Sequence, residues 1–249
     1  MRVAVAGGTG LLGALIVEAA RDRGHDPVIL SRAAGVDIIT GQGLESALEG
    51  VETIIDASNP STTGRRAATD FFETGTTALS RSGERAGAAH LLSISIVGID
   101  RVPEYGYYAA KLAQERAAAA GPLTSTILRA TQFHEFAGQI LDRMAAGPVA
   151  LVPRFAVQTV AAASVAGLAI DLIETSPAIH HIEVAGPERG DLVDQARRLV
   201  AHNHRRMTIL PLRLPGRWGA KLRSGALRPE QGASIIGPGF SDWLALLGD

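Results

Sequence analysis

A tyrosine and a lysine, Tyr107 and Lys111, lie four residues apart in this chain. Residues at this spacing share one face of a helix, so an ammonium group can lie beside a phenol. A phenol with a pKa of about 10 is a poor acid–base group at neutral pH, and a nearby cation lowers that pKa. Ser95, at the end of a predicted strand, could donate to a substrate carbonyl. These three side chains could support hydride transfer to or from a carbon–oxygen centre.

A purely structural role is the alternative, because a tyrosine and a lysine at this spacing are common by chance. Lys111 could lie on a solvated helix face and pair with Glu115, while Tyr107 packs. Tyr105 and Tyr108 compete for the acid–base role, but neither has a lysine four residues further on. A nucleotide-binding loop earlier in the chain favours the catalytic interpretation.

That loop is a run of glycines with the spacing G-x-x-G-x-x-G, between the apolar run Val3–Ala6 and a helical pattern. A tight turn and a close approach of backbone to phosphate both need residues without a β-carbon. The helix N-terminus then offers unpaired N–H groups and a positive dipole end to a pyrophosphate. A dinucleotide site is predicted, although a glycine-rich turn without ligand is the alternative. The predicted contact residues are Gly7, Thr9, Gly10, Leu11, Leu12 and Gly13.

The end of the second predicted strand indicates which dinucleotide binds. A carboxylate there would bind the 2′-hydroxyl of NAD, but this strand ends in Ser31 and Arg32. Arg32 can pair with a 2′-phosphate and Ser31 can donate to it, which favours NADP (NADPH) while NAD stays possible. An ordinary surface arginine is the alternative.

Two further loops could contact the cofactor. Asp37 and Ile38 end a third predicted strand, where a carboxylate could accept from the adenine amino group or serve only in a loop. Ala57, Ser58 and Asn59 follow the fourth predicted strand, where small residues let the backbone run under the cofactor. Asn59 before a proline could equally be turn chemistry.

Strands that alternate with helices must position these residues. The predicted strands are Val3–Ala6, Pro27–Leu30, Val36–Ile39, Thr53–Asp56, His90–Ile96 and Ser125–Leu128, with helices near 12–23, 43–49, 65–87 and 105–120. This alternation is typical of an α/β fold with a parallel sheet covered on both faces. Beyond about residue 150 the pattern loosens into predicted helices at Ala161–Glu174 and Gly190–Ala201 and a strand at Ile182–Val184.

Composition excludes several classes of protein. The 249 residues carry a net charge of −1, so no basic surface for nucleic acid is expected. The chain has no cysteine, which excludes disulfides and thiolate sites. No metal site is predicted, since the adjacent His134 and Glu135 point in different directions. No membrane span or signal peptide is predicted, and a cytoplasmic monomer or homodimer that acts on a small molecule is expected.

Together these residues resemble the short-chain dehydrogenase/reductase superfamily, and more narrowly its atypical, NmrA-like NAD(P)-binding group. The resemblance is carried by Gly7-Gly8-Thr9-Gly10-Leu11-Leu12-Gly13, Leu30-Ser31-Arg32, Ile55-Asp56-Ala57-Ser58-Asn59, the runs 95–100, 107–115 and 127–136, and Val184-Ala185-Gly186-Pro187. One departure is Ser164, where relatives usually carry aspartate.

The resemblance implies a Rossmann-type doubly wound sheet in a domain of residues 1–150, and a small C-terminal substrate lobe of residues 151–249. It implies that Thr131, Gln132 and Phe133 lie near the nicotinamide, and that Lys111 holds the ribose. Members include quinone and carbonyl reductases and redox-sensing regulators without turnover. The sequence therefore predicts an NADP(H)-dependent oxidoreductase, with a non-catalytic regulator and a nucleotide-sugar epimerase or dehydratase as alternatives.

Overall fold

The computed structural model describes residues 1–175 and 181–248. Its strands are β1 (Arg2–Ala6), β2 (Asp26–Leu30), β3 (Thr53–Asp56), β4 (His90–Ile96), β5 (Thr124–Ala130), β6 (Ala145–Ala146), β7 (Val149–Pro153), β8 (Ala156–Val157), β9 (His181–Ala185), β10 (Gly190–Asp191), β11 (Thr208–Leu212) and β12 (Ser234–Ile235). Its helices are α1 (Leu11–Asp22), α2 (Leu44–Ala47), α3 (Arg65–Ala86), α4 (Gly106–Ala119), α5 (Phe136–Met144), α6 (Ala162–Glu174), α7 (Leu192–His202), α8 (Gly216–Arg223) and α9 (Phe240–Leu246).

Seven of these strands form one sheet in the order β12-β9-β5-β4-β3-β1-β2. The pairs of β1 with β2, β1 with β3, and β3 with β4 are parallel, and Val5 lies between Ile29 and Ile55. Apolar β-branched residues without polar alternation produce such strands, because both faces of a parallel sheet are covered by helices. The predicted α/β, Rossmann-type fold class is confirmed.

The strand order places a topological switch at β1. The chain runs from β1 to β2 on one side and continues through β3 and β4 on the other side. Ligands in open parallel sheets bind outside the carboxyl ends of the strands at such a switch. The loops that follow β1 and β3 therefore form the expected binding edge.

The chain divides into two compact units. The first comprises Met1–Ser95, Pro103–Arg129 and Val165–Ile182, and the second comprises Ile96–Val102, Ala130–Ser164 and Glu183–Asp249. The core of the first unit includes Ala4, Ile54, Leu79 and Leu91, all buried. The predicted domain boundary at residue 150 stays a prediction, since compactness alone does not say which segments fold together.

The predicted strand Val36–Ile39 is wrong. Val36 is buried and Ile38 packs against the same core, which explains the apolar alternation. The backbone turns here instead: the N–H of Asp37 donates to the carbonyl of Gln42 at 2.9 Å, and the Asp37 carboxylate accepts from the N–H of Ile39 at 2.8 Å. An aspartate that binds the backbone two residues on favours a turn over a strand.

Candidate functional site

The glycine loop lies where backbone segments approach too closely for side chains. Gly7 has a φ of +75°, and a Cβ built there would lie 2.7 Å from the carbonyl oxygen of Ala57. A Cβ on Gly13 would lie 2.1 Å from the carbonyl oxygen of Gly7. Gly7 thus lets the loop after β1 run against the loop after β3, and Gly13 lets α1 lie close to the turn.

Gly10 differs from these two glycines because a side chain there would meet little of the protein. Its φ is −80°, and an added Cβ would approach only the carbonyl oxygen of Gly7, at 3.3 Å. Among the described residues, no backbone carbonyl accepts from the N–H groups of Leu11, Leu12 or Gly13. Free donors at the N-terminus of a twelve-residue helix form a site for an anion, and Thr9, Gly10 and Leu11 are exposed beside it. These features fit the pyrophosphate of a dinucleotide.

The end of β2 lies beside this loop, since the N–H of Gly7 donates to the carbonyl of Leu30 at 3.3 Å. Ser31 begins a short 3-10 helix, and its Oγ accepts from the N–H of Ala34 at 3.2 Å. The Arg32 side chain is exposed and forms no ion pair within the part of the chain that the structure describes. A free guanidinium at this edge is available to an anionic ligand. Its contact with a 2′-phosphate stays a prediction.

The other predicted adenine residues belong to the turn at 37–42. The Asp37 carboxylate also accepts from the N–H of Thr40 at 3.3 Å. Ile38 packs against α3, where its Cδ1 would lie 3.0 Å from a Cβ added to Gly75. Contacts of Asp37 and Ile38 with an adenine stay predictions.

A buried polar network follows β3. The Asp56 carboxylate accepts from Ser58 Oγ at 2.6 Å, Thr76 Oγ1 at 2.8 Å and Gln114 Nε2 at 2.8 Å. Four donors, including the N–H of Ser58, satisfy this buried carboxylate, as a charge removed from water requires. The Ser58 hydroxyl thus donates to Asp56 within the protein. The two flanking residues are more accessible, since Ala57 is half-buried and Asn59 is exposed.

Lys111 joins this network from α4. Its Nζ donates to the carbonyl oxygen of Ile94 at 2.6 Å and to Oε1 of Gln114, and it lies 4.6 Å from the centre of the Phe72 ring. The Gln114 amide donates to Asp56 with its nitrogen, so its oxygen faces the ammonium. The alternative in which Lys111 lies on a solvated helix face is wrong, because the side chain is buried.

Burial has a chemical consequence for this lysine. Desolvation lowers the pKa of Lys111 to about 8, although the charges of Asp56 and Glu115 act in the opposite direction. A lysine with this pKa exchanges its proton near physiological pH, which is a property of lysines at functional sites.

Tyr107 contacts Asn59 in the loop that follows β3. Its hydroxyl donates to Oδ1 of Asn59 at 2.9 Å, and its ring packs edge-on against Phe72 with centroids 6.0 Å apart. Tyr108, the neighbouring competitor, is buried, and burial raises its pKa. Tyr107 is therefore better suited than Tyr108 to acid–base work, and Phe72 touches both Tyr107 and Lys111.

Ser95 has other partners than Tyr107 in this structure. Its Oγ donates to Oε1 of Glu115 at 2.5 Å, and the same carboxylate accepts two hydrogen bonds from Arg129, from Nε at 2.8 Å and from Nη2 at 2.7 Å. A bidentate ion pair of this kind holds the carboxylate in one orientation. Glu115 thus orients Ser95 rather than pairing with Lys111.

The three residues that follow β5 belong to the second unit. Thr131 Oγ1 donates to the carbonyl of Gln158 at 2.7 Å, and Phe133 forms a parallel bridge with Val160. Gln132 Oε1 is buried without a hydrogen-bond partner, which leaves it free to accept from a ligand. Their position near a nicotinamide stays a prediction.

Sequence reasoning missed the residues that hold the catalytic candidates. Thr76 lies in the middle of α3, and its spacing from Asp56 carries no signal. Gln114 and Glu115 follow Lys111 at three and four residues, so helix periodicity places them on the lysine's face. That periodicity could have identified Gln114 as a lysine partner.

Two negative findings apply to the described ranges 1–175 and 181–248. They contain no cluster of three or more histidine, aspartate and glutamate side chains suited to a metal ion. None of their helices combines the length and the apolar character needed to span a bilayer.

Comparison with known proteins supports the fold. No protein-family profile matches the chain. The photosystem II assembly factor Ycf39 of Synechocystis is 32% identical over an alignment of 147 residues, and this alignment covers 53% of this chain and 45% of that protein. The match thus spans less than half the length of this curated relative.

Solved structures match over nearly the whole chain. The dTDP-4-dehydrorhamnose reductase of Bacillus anthracis, solved in complex with NADP, has a TM-score of 0.73 at 16% identity and covers 98% of this chain and 96% of its own. A short-chain dehydrogenase/reductase superfamily protein of Agrobacterium tumefaciens, solved with bound NAD, has a TM-score of 0.65 at 17% identity and covers 87% and 86%. The chain therefore has the Rossmann-type fold that these solved structures share, as its sequence predicts.

Proposed function

We propose that the chain is an NADP(H)-dependent oxidoreductase of the short-chain type, related to its NmrA-like group, that reduces a small carbonyl or quinone compound. The observation that carries this proposal is the glycine loop at the switch between β1 and β3. Gly7 and Gly13 have no room for a side chain, whereas a Cβ on Gly10 would approach only the carbonyl oxygen of Gly7, beside a helix N-terminus with free N–H groups. A tight turn accounts for the first two glycines, and the free N–H groups beside Gly10 offer a site for the phosphates of a ligand.

The cofactor would be held by residues of the first unit. The N–H groups at the start of α1 would receive the pyrophosphate, and Arg32 would pair with the 2′-phosphate that distinguishes NADP from NAD. The nicotinamide supplies the hydride when the cofactor is bound. Asn59, next to the Gly7–Ala57 contact, would lie under the cofactor and orient Tyr107 through the hydrogen bond between them.

The acid–base role falls to Tyr107. The residue is half-buried, and its hydroxyl already donates a hydrogen bond and can give its proton to a carbonyl oxygen as negative charge develops there. Lys111 supplies a positive charge in the polar network that follows β3, where Ile94 and Gln114 accept from its ammonium group. Ser95, oriented by Glu115, would donate to the substrate carbonyl.

A second candidate function is a redox-sensing regulator that binds NADP without turnover. It is favoured by a specific observation: Lys111 and Ser95 already have protein partners, the Ile94 carbonyl and the Glu115 carboxylate. A regulator needs the glycine loop and Arg32 but not a free catalytic triad.

One pair of measurements separates the two functions. NADPH binding is measured by calorimetry, and NADPH oxidation is followed against a panel of quinones, aldehydes and ketones. Tight binding with turnover of at least one compound supports the reductase. Tight binding without turnover supports the regulator, and absence of NADPH binding contradicts both.

A further inference from the structure

Three arginines of the second unit, Arg101, Arg189 and Arg228, surround the short antiparallel ladder of β8 and β10; we name them the arginine cluster. In this ladder Gly190 lies opposite Val157. Arg228 spans it, since its Nε donates to the carbonyl of Val157 at 3.1 Å and its Nη2 donates to the carbonyl of Gly190 at 2.7 Å. The Arg228 guanidinium is thus fixed by backbone carbonyls and not by a carboxylate.

Arg189 lies next to the same ladder, directly before β10. Its Nε donates to Oε1 of Gln158 at 3.1 Å, and the Gln158 amide nitrogen donates to the carbonyl of Gly186 at 2.9 Å. This second bond fixes which end of the amide faces Arg189. The two terminal nitrogens of Arg189 have no hydrogen-bond partner among the residues that the structure describes.

The turn that precedes Arg189 packs closely against a neighbouring backbone segment. A Cβ on Gly186 would lie 2.0 Å from the carbonyl oxygen of Thr159, so the backbone of this turn packs directly on its neighbour. Arg189 is exposed and, with Pro229, Glu230 and Gln231, lines a cavity of about 570 Å³. Arg189 therefore follows a closely packed backbone turn and lines an open pocket large enough for a small molecule.

The charges around this cavity do not balance. Its carboxylate, Glu230, is already paired with Arg101 at 2.5 Å, and Arg101 also donates to the carbonyl of Arg228 at 2.7 Å. Neither Arg189 nor Arg228 forms an ion pair with any acidic residue of the described ranges. Burial and the charge of Arg189 both lower the pKa of Arg228, although Asp191 opposes them. Since arginine stays protonated, an anion between them would relieve this repulsion.

We propose that this cavity binds an oxyanion, a carboxylate or a phosphate, and that Arg189 is its main ligand. Two parallel N–H donors of a guanidinium match the two oxygens of either group, and this geometry favours arginine over lysine at such sites. This anion site rests on the arginine cluster and does not depend on the proposed reductase function.

The test compares Arg189→Gln with Arg197→Gln, an exposed arginine of α7 that pairs with Asp194 and changes the net charge equally. Both variants carry Gly10→Val, which removes phosphate binding at the glycine loop, and folding is checked by circular dichroism. Inorganic phosphate and malonate are titrated separately by calorimetry. We expect saturable binding of at least one anion, weakened at least tenfold by Arg189→Gln and unchanged by Arg197→Gln.

The two probes also identify the chemical class of the oxyanion. Binding of phosphate alone indicates a phosphate site, and binding of malonate alone indicates a carboxylate site. Equal affinity in the two variants, or no saturable binding of either anion, would overturn the proposal. NADPH binding is measured in parallel in proteins that keep the native Gly10, and it should be the same in Arg189→Gln as in wild type. A failure of NADPH binding or turnover would contradict the reductase and leave the anion result standing.

Discussion

The Tyr107 hydroxyl donates a hydrogen bond of 2.9 Å to Oδ1 of Asn59. Asn59 lies two residues after Ala57, whose carbonyl oxygen is the group that a Cβ on Gly7 would strike. The bond therefore connects the catalytic candidate on α4 with the loop that borders the glycine turn. The phenol is tied to the carboxyl edge of the sheet, where a dinucleotide is expected.

Tyr107→Phe should leave NADPH affinity within about twofold and lower carbonyl reduction by about 10²-fold or more, the scale of general acid–base catalysis. The physical reason is the loss of the phenol proton that Tyr107 holds beside Asn59. Steady-state NADPH oxidation measures the effect, with Tyr105→Phe as the matched control. Full activity of Tyr107→Phe would remove the phenol from the mechanism and favour direct hydride transfer to a quinone.

Substitutions at Gly10 and Gly13 should separate ligand binding from folding. Gly10→Val meets only one carbonyl oxygen, at 3.3 Å, so we expect a folded protein that has lost about 1 kcal/mol as an N-cap substitution does. NADPH binding should be abolished, because the side chain occupies the space of the phosphate. Calorimetry and denaturant unfolding measure the two effects.

Gly13→Ala should affect stability more strongly than Gly10→Val does. Its Cβ would lie 2.1 Å from the carbonyl oxygen of Gly7, so the backbone must shift, at a cost of about 2 kcal/mol or more. A Gly13→Ala protein with unchanged stability, or a Gly10→Val protein that binds NADPH normally, would show that the loop is wrongly assigned.

Arg32→Ala should weaken NADPH binding about tenfold or more and leave NADH binding unchanged. A charge-assisted contact with phosphate contributes about 1.5–3 kcal/mol, and NADH has no 2′-phosphate to lose. Arg21→Ala, an exposed arginine of α1, is the control for net charge. An equal loss of affinity for NADPH and NADH would mean that Arg32 acts through long-range electrostatics and not through a contact with the 2′-phosphate.

The buried Lys111 should make stability rise with pH in one defined window. Its pKa is about 8 in the folded protein and 10.5 when unperturbed, so between these values the unfolded chain binds more protons. The free energy of unfolding therefore increases as pH rises through this window, by about 3 kcal/mol for this group. Below pH 8 the lysine is charged in both states and contributes no slope.

Urea unfolding of wild type and Lys111→Met at several pH values between 7 and 10.5 checks this expectation. The difference between the two proteins should change in favour of wild type as pH rises. A constant difference would mean that Lys111 titrates at its ordinary pKa and is not desolvated.

Elements with strong local signals can be predicted from the amino-acid sequence alone. The apolar run before the glycines predicts β1, and predicted helices near 65–87 and 105–120 correspond to α3 (Arg65–Ala86) and α4 (Gly106–Ala119). Buried parallel strands are predicted by their apolar composition, and long helices are predicted by the periodicity of their apolar residues. The strand predicted at Val36–Ile39 is wrong because Val36 and Ile38 both pack on the core, and their spacing equals that of the buried residues of a strand. The Asp37 carboxylate, which accepts from the N–H of Ile39, stabilises a turn there instead.

The partner of each polar side chain depends on the tertiary fold and cannot be predicted from local sequence. The sequence predicts that Tyr107, Lys111 and Ser95 belong together, but the folded chain binds Tyr107 to Asn59, Lys111 to Ile94 and Gln114, and Ser95 to Glu115. Spacing along a helix fixes which face a residue occupies, but not which groups from other elements meet that face. Those groups come from residues far away in sequence, and burial obliges each polar atom to find one of them.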